Sequence, residues 1–267
     1  MQLLEHSLAG PVIRLAHGAD EALVALLGAH VVAWRRNGRD MLWCATSRLE
    51  GKPLRGGIPV CWPWFAAHPE DAAMPFHGVA RLRQWDVAER KASAVAMDLA
   101  YGSLHARLEV TLDDELTVSL TTRNVGTSAV SLSAALHTYL AVDDIGRVRV
   151  VGLDETTYLD KLDGYARKVQ QGDLVVDREV DRIYSAGQAR LIDGARSVVV
   201  DGAGTSHSLV VWNPRIEKSA SFGDMAEGDY RRMLCMETAW AGDDTRLLAP
   251  GAVATLTTVL RPGATST

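Results

Sequence analysis

Paired cysteines, long apolar runs and a secretory leader are all missing from this sequence. The three cysteines, Cys44, Cys61 and Cys235, are odd in number and form no CxxC pair, which predicts neither a disulfide framework nor a zinc site. No stretch approaches the roughly 18 uninterrupted apolar residues of a membrane span. The first residues also lack a basic segment followed by a long apolar core. We therefore expect a cytoplasmic protein with no membrane partner and no bound metal.

An excess of positive charge is also absent. The formal net charge is −5, so the protein as a whole does not attract nucleic acid or anionic lipid. Any anion that binds must be held by a local cluster of cations. The motifs GxxxxGK[ST], GxSxG and HExxH do not occur, which removes the common phosphate-binding, hydrolase and zinc-protease machinery. The sequence predicts no cofactor and no nucleic-acid partner.

Alternation with a period of two dominates what is present. Apolar residues alternate with polar ones over residues 104–112, Asp113-Asp114 turns the chain, and the alternation resumes from Leu116, which predicts a β-hairpin. Similar runs recur along the chain, and only residues 227–234 show a short helical spacing. With 47% apolar residues and no linker, residues 1–267 are predicted to form one all-β domain, a large antiparallel β-sandwich.

Two stretches are poor in regular structure but rich in side chains that carry chemistry. In "PLRGGIPVCWPWF", Arg55 lies beside a glycine pair, two prolines and two tryptophans, as in an ordered loop with a function or an awkward apolar corner. In "PFHGVARLRQW", His77 and Arg81 flank Gly78, at which the backbone can bend. The alternative for the second stretch is a surface hairpin with solvated charges.

Two further polar residues lie in apolar surroundings. His137 directly follows the strand pattern that ends at Leu136, where a lone histidine is more often a satisfied core or surface residue. Glu237 lies in "RMLCMETAW", where an unpaired carboxylate would be costly to desolvate. Its simplest alternative role is a buried salt bridge with Arg231 or Arg232.

Six blocks in register give these residues a common context. "LRGGIPVCWPWF", "HGVAR", "LHTYL", "VDRIY", "VVWNP" and "FGDMAEGDYRRMLCMETA" occur in one order along residues 20–260. In this order the chain resembles the glucose-6-phosphate 1-epimerases, hexose-6-phosphate mutarotases of the galactose-mutarotase-like superfamily. The chain departs from the family pattern in three places: Phe76 stands where relatives often have a glutamine that contacts the substrate, Leu140 stands where phenylalanine is usual, and Thr238-Ala239-Trp240 follows Glu237 in place of a Pro-Gly-like continuation.

The resemblance implies a galactose mutarotase-like supersandwich with a sugar cleft on one concave sheet. The implied activity is the interconversion of the α and β anomers of D-glucose 6-phosphate, or a related hexose 6-phosphate, by a monomer without a cofactor. By block matching, the implied general acid is His137 and the general base Glu237. The implied substrate-binding residues are Arg55 and Arg81 at the phosphate, with His77 and Asp181 as further contacts.

The residue chemistry fits this activity independently. Opening a hemiacetal needs a base at the anomeric hydroxyl and an acid at the ring oxygen, and a carboxylate and an imidazole suit these two positions near neutral pH. Arg55 offers a planar fork of donors to phosphate oxygens. We expect Gly56 and Gly57 to keep side chains away from the bound phosphate.

Two other functions remain open at this stage. One is an aldose 1-epimerase for free sugars, although the Arg55 and Arg81 pair would then have no anion to bind. The other is a non-catalytic carbohydrate-binding sandwich, which would account for the strands and tryptophans but not for His137 and Glu237.

Overall fold

A computed structural model describes residues 3–264 of the protein, and strands dominate it. In chain order these are β1 (Leu4–His6), β2 (Gly10–His17), β3 (Asp20–Ala25), β4 (His30–Arg36), β5 (Arg39–Asp40), β6 (Val60–Cys61), β7 (Asp86–Arg90), β8 (Ala94–Tyr101), β9 (Leu104–Leu112), β10 (Leu116–Asn124), β11 (Val130–Leu132), β12 (Ala134–Leu136), β13 (Tyr139–Ala141), β14 (Arg149–Val151), β15 (Thr157–Asp160), β16 (Ala166–Val169), β17 (Leu174–Val175), β18 (Val180–Tyr184), β19 (Gln188–Asp193), β20 (Arg196–Asp201), β21 (Ser208–Asn213), β22 (Met233–Trp240), β23 (Arg246–Leu248) and β24 (Val253–Ala264).

The helices are short, and their placement differs from the sequence prediction. Within the described range the single α-helix is α1 (Arg215–Ala220), and the 3-10 turns are Ala80–Leu82, Ile145–Arg147, Lys161–Asp163, Asp229–Arg232 and Gly242–Asp244. The predicted helix over 227–234 is wrong in extent: one 3-10 turn follows Gly228, and the chain is already in β22 at Met233. α1 was missed because six residues are too few to show a helical period. No helix among the described residues has the length and hydropathy needed to span a bilayer.

Two large antiparallel sheets form the body of the fold. The nine-stranded sheet has the order β17-β14-β19-β20-β24-β10-β9-β8-β7, and the eight-stranded sheet has the order β16-β15-β18-β21-β22-β12-β6, with β13 also paired to β22. Strands β1 to β5 form a third sheet in sequence order, and β11 pairs with β23. The prediction of an all-β antiparallel sandwich is confirmed. That residues 1–267 form one domain stays a prediction, and residues 1–2 and 265–267 lie outside the described residues.

The hairpin predicted from the alternation is present. β9 and β10 pair with Leu112 opposite Leu116, and alternate residues of both strands are buried. Leu108 and Leu120 belong to the same buried cluster as Leu234 and Met236 of the eight-stranded sheet. Apolar side chains from both large sheets therefore fill one core, as the period of two requires.

Strand β22 places the candidate site. All eight of its residues are buried, which hides any period of two in burial. Leu234, Met236 and Trp240 face the main core, whereas Cys235 and Glu237, on the opposite face of the strand, point away from it. The outer face of β22 is thus covered by a second layer of side chains, among which the polar residues of the site lie.

Candidate active site

His137 and Glu237 meet because two short strands pair with the same partner. β12 ends with Leu136 opposite Thr238, and β13 begins with Tyr139 opposite Cys235. His137 lies in the gap between these strands, across from Glu237. Its Nε2 is 3.3 Å from Glu237 Oε1, and 10% of the histidine side chain and 2% of the glutamate side chain are exposed. The ring is held by parallel stacking on Tyr139 at 4.7 Å.

Burial sets the ionisation of this pair. Desolvation raises the pKa of Glu237 well above its ordinary value. Desolvation also lowers the pKa of His137 well below its ordinary value, and the positive charges of Arg81, Arg55 and Lys161 lower it further. Both shifts favour the neutral form of each group, so burial places the proton of the pair on Glu237.

The salt bridges considered for Glu237 in the sequence do not form. Arg231 pairs instead with Asp144 at 3.2 Å, and Arg232 donates to the carbonyl oxygen of Asp143 at 2.6 Å. Glu237 Oε2 and His137 Nδ1 are both buried without a hydrogen-bond partner. A buried carboxylate and imidazole facing each other, each with an unsatisfied atom, are unusual in a purely structural role.

Arg55 reaches the site in a fixed orientation. Its Nε donates to Asp224 Oδ1 at 2.9 Å, and its guanidinium lies over the Phe222 ring, 4.2 Å from the centroid. Asp224 and Phe222 belong to the segment between α1 and β22, within the last of the six sequence blocks. The expected arginine is therefore clamped between a carboxylate and an aromatic face before any ligand binds.

The two glycines after Arg55 have a structural role in the folded chain. Gly56 has φ +105°, and a Cβ there would lie 2.3 Å from Cys44 Cα; Gly57 has φ +63°, and its Cβ would lie 2.1 Å from Val31 O. That they keep side chains away from a bound phosphate stays a prediction. They are needed because the loop passes directly against the backbones of neighbouring segments in a left-handed conformation.

His77 and Arg81 lie on the other side of His137. The His77 ring is 5.6 Å from the His137 ring at a steep angle of 85°, and His77 Nδ1 accepts from the backbone N–H of Ala66 at 3.0 Å. Arg81 Nη2 donates to the carbonyl oxygen of Phe76 at 2.6 Å, its Nε is buried without a partner, and no carboxylate of residues 3–264 pairs with it. The surface-hairpin alternative for this stretch is not what the structure shows.

Asp181 lies at the third edge of the site and is paired. Lys161 Nζ is 2.8 Å from Asp181 Oδ1, with fewer than a fifth of either side chain exposed, and it also lies 5.5 Å from the Phe65 ring centroid. Burial raises the pKa of Asp181, while Lys161 opposes that shift. The structure thus brings the other four predicted residues around the His137–Glu237 pair.

Sequence reasoning missed several residues of the site. Lys161 and Asp224 supply a cation and the partner of a cation, yet neither was singled out. Asp224 lies inside a quoted block, so its position was visible although its pairing with Arg55 was not. Lys161 lies in "YLDKLDG", which carries no recognisable motif, and only the pairing of β15 with β18 brings it to Asp181.

A possible metal-ligand cluster was missed as well. Donor atoms of His137, Cys235 and Glu237 all lie within 4.8 Å of one another, and all three residues are buried. The sequence predicted no such cluster because a hundred residues separate the histidine from the other two. That the protein binds no metal stays a prediction.

Comparison with known proteins gives one consistent result. The family described as "Aldose 1-epimerase" matches residues 11–261. A Cenchrus ciliaris protein named "Putative glucose-6-phosphate 1-epimerase" is 32% identical over 260 residues, which are 86% of this chain and 78% of that protein. An Escherichia coli protein of the same name is 30% identical over 260 residues, which are 88% of this chain and 85% of that protein. A Salmonella typhimurium crystal structure of a "putative mutarotase" superposes with a TM-score of 0.85 at 24% identity, over 96% of this chain and 91% of that one.

Proposed function

This chain belongs to the aldose 1-epimerase family, and we propose that it interconverts the α and β anomers of a hexose 6-phosphate, with D-glucose 6-phosphate as the first substrate to test. The observation that carries the proposal is the buried His137–Glu237 pair, 3.3 Å apart, with the cations Arg55, Arg81 and Lys161 around it. The names of the relatives from Cenchrus ciliaris and Escherichia coli support the same activity.

The proposed reaction is a proton exchange at the two ends of one bond. In the proposed direction of opening, Glu237 takes the proton of the anomeric hydroxyl while His137 gives a proton to the ring oxygen, and the C1–O5 bond breaks. Rotation about C1–C2 presents the other face of the aldehyde, and the same two transfers run backwards to close the ring. The net reaction consumes no proton.

The ionisation of the pair suits this cycle. Before opening, His137 is protonated and Glu237 is ionised; after opening, His137 is neutral and Glu237 is protonated. The pair therefore holds one proton in both states. These two states are tautomers of a coupled pair, so neither needs a proton from solvent. Burial favours the state that follows opening, and a bound phosphate dianion would favour the other one, since it offsets the positive field that lowers the pKa of His137.

The local cations support a phosphorylated sugar over a free one. Arg81 has no carboxylate partner among the described residues, so its charge is available to a ligand. Arg55 uses its Nε hydrogen for Asp224 and also hydrogen-bonds the Tyr139 side chain, so the remaining hydrogens of its terminal nitrogens are the ones proposed to meet phosphate oxygens. In a protein of net charge −5, two arginines beside His137 are better explained by an anionic ligand than by a neutral one.

We also propose roles for His77, Asp181 and Phe76. His77 and Asp181 are proposed to contact sugar hydroxyls, because each carries a polar group close to the His137–Glu237 pair. Exposed Phe76, 56% accessible and packed on the His77 ring at 4.3 Å, would present an apolar edge where relatives carry glutamine. The monomeric state and the cytoplasmic location stay predictions.

Anomer exchange measured by NMR on 13C-labelled glucose 6-phosphate tests the proposal. We expect the protein to accelerate exchange above the buffer rate, and His137→Asn and Glu237→Gln each to lower kcat by about 100-fold or more. His105→Asn and Glu109→Gln, on exposed positions of β9, are the matched controls and should keep full activity. Full activity in either site variant would contradict the assignment, and no acceleration by the wild type would favour a non-catalytic sugar-binding role.

A further inference from the structure

We propose that His137, Cys235 and Glu237 form a binding site for a thiophilic divalent cation such as Zn²⁺, and that the bound cation inhibits the enzyme. The binding half of this inference stands on the cluster alone. The inhibitory half rests on the proposed function, because it assumes that His137 and Glu237 move the protons.

The cluster has the composition and size of a zinc site. Cys235 and Glu237 are two residues apart on β22 and so project from the same face, and His137 faces them from the β12–β13 junction. Their donor atoms lie within 4.8 Å of one another. Donors around a tetrahedral Zn²⁺ lie about 3.3–3.8 Å apart, given bond lengths of about 2.0–2.3 Å. The site therefore needs side-chain shifts of about 1 Å and no change of backbone.

The donor types determine which ions fit. One thiolate, one imidazole and one carboxylate suit Zn²⁺, Cd²⁺ and Co²⁺, whereas Mg²⁺ and Ca²⁺ require oxygen ligands at higher coordination number. When the ion binds, sulfur–metal, nitrogen–metal and oxygen–metal bonds form and waters leave the ion. The Cys235 thiol and the Glu237 carboxyl lose their protons to solvent, and nothing is oxidised or reduced. A fourth position remains for water.

Unsatisfied atoms and charge balance favour occupancy. Glu237 Oε2 and His137 Nδ1 are buried without hydrogen bonds, so the cluster is not already saturated by its neighbours. Three cations lie nearby, but Arg55 is neutralised by Asp224 at 2.9 Å and Lys161 by Asp181 at 2.8 Å. The thiolate and the carboxylate match the charge of the ion, which leaves Arg81 as the unbalanced neighbour.

Inhibition follows from which atoms the ion would occupy. The carboxylate oxygen and the imidazole nitrogen that ligate the metal are the groups that must take and give protons during ring opening. A metal-bound His137 and Glu237 can do neither, and among residues 3–264 no other carboxylate lies in hydrogen-bond or ion-pair contact with His137. The cation should thus compete with the sugar phosphate and not assist its reaction.

Binding is tested first, without reference to activity. Metal-free protein titrated with Co²⁺ should develop a near-ultraviolet thiolate-to-cobalt charge-transfer band that saturates at one ion per chain. Cys235→Ser should abolish the band, whereas the matched control Cys44→Ser, whose sulfur only donates to the carbonyl oxygen of Arg55, should keep it. No band in the wild type, or an equal band in Cys235→Ser, would overturn the site.

Inhibition is tested next, with each variant compared to its own metal-free rate. Zn²⁺ should suppress anomer exchange by the wild type and by Cys44→Ser, and EDTA should restore it. Cys235→Ser should need at least tenfold more Zn²⁺ for half-inhibition. Equal sensitivity of Cys235→Ser would refute the inhibitory site. A protein that binds Co²⁺ but shows no anomer exchange without metal would instead refute the proposed function and leave the metal site standing.

A crystallographic experiment covers the case in which Cys235→Ser does not fold. Crystals of unaltered protein soaked in Zn²⁺ should show an anomalous peak within about 2.5 Å of Cys235 Sγ and in bonding distance of His137 and Glu237. A peak elsewhere only, or no peak at saturating Zn²⁺, would contradict the proposal.

Discussion

Substitution of Arg55 separates a phosphate-binding arginine from a structural one. Charge-assisted hydrogen bonds contribute about 1.5–3 kcal/mol each. At about 1.4 kcal/mol per decade, the loss of one such bond raises KM for glucose 6-phosphate by about tenfold to a hundredfold. Turnover of free glucose should barely change, because that sugar has no phosphate. Arg55→Lys should recover only part of the loss, since a point charge cannot reproduce the guanidinium fork.

The structure shows why a simple alanine substitution is not sufficient. Arg55→Ala would leave the Asp224 carboxylate, 7% exposed, without its cation. Breaking a buried pair in this way costs about 3–5 kcal/mol of stability, and about the lower figure is expected here because 21% of Arg55 is exposed. The double variant Arg55→Ala/Asp224→Asn removes the stranded charge. Arg48→Ala, which loses only a contact with the carbonyl oxygen of Leu8, is the control.

The assay is kcat/KM for glucose 6-phosphate and for glucose, measured at one ionic strength for the wild type and the four variants. A loss confined to the phosphorylated substrate in Arg55→Ala and in the double variant supports the phosphate contact. Equal losses on both substrates would make Arg55 a structural residue of its loop. A wild type that prefers free glucose would refute the phosphate assignment and favour an epimerase for unphosphorylated sugars.

Three further predictions concern stability and metal dependence. Because the folded-state pKa of Glu237 is raised, the wild type loses stability as pH rises from about 4.5. Glu237→Gln should therefore raise Tm, and by more at pH 8 than at pH 5. A Tm difference between variant and wild type that does not change with pH would refute the burial of an ionisable carboxyl group as the cause. In urea unfolding, Gly57→Ala should lower the free energy of unfolding by more than about 3 kcal/mol, because the added Cβ would lie 2.1 Å from Val31 O. Gly204→Ala is the control: at φ +71° with no atom near its Cβ, it should cost only about 1–2 kcal/mol. EDTA treatment of the purified protein should not lower the rate of anomer exchange, and a loss that Zn²⁺ or Mg²⁺ restores would show that a metal takes part in the reaction.

The candidate site could be predicted where residues lie in recognisable blocks. His137, Glu237, Arg55, His77, Arg81 and Asp181 all lie in the quoted blocks, and the structure places the last four around the His137–Glu237 pair. What the blocks could not show is pairing. Whether Glu237 faced Arg231, Arg232 or His137 depended on β12 and β13 pairing in succession with β22. Strand pairing across a hundred residues leaves no local trace in the chain.

The same difference applies to the reasons behind individual residues. The glycines after Arg55 stood out in the sequence, but their cause is the backbone of segments around Val31 and Cys44, which only the folded chain brings near. Asp224 lies in a quoted block, but its pairing with Arg55 could not be predicted from the sequence. The two residues come from loops far apart in the chain, and only folding brings Arg55 Nε to 2.9 Å from Asp224 Oδ1.

The all-β class, the hairpin of β9 and β10 and the residue types of the site can be predicted from the amino-acid sequence. These are local properties: alternation with period two records which side of a strand is buried, and turn residues record where the chain reverses. Three features are visible only in the folded chain: Cys235 lies beside His137 and Glu237, Lys161 forms a salt bridge with Asp181, and burial shifts the pKa values of His137 and Glu237. Distances and desolvation arise only when segments far apart in the chain are packed together, so no local pattern encodes them.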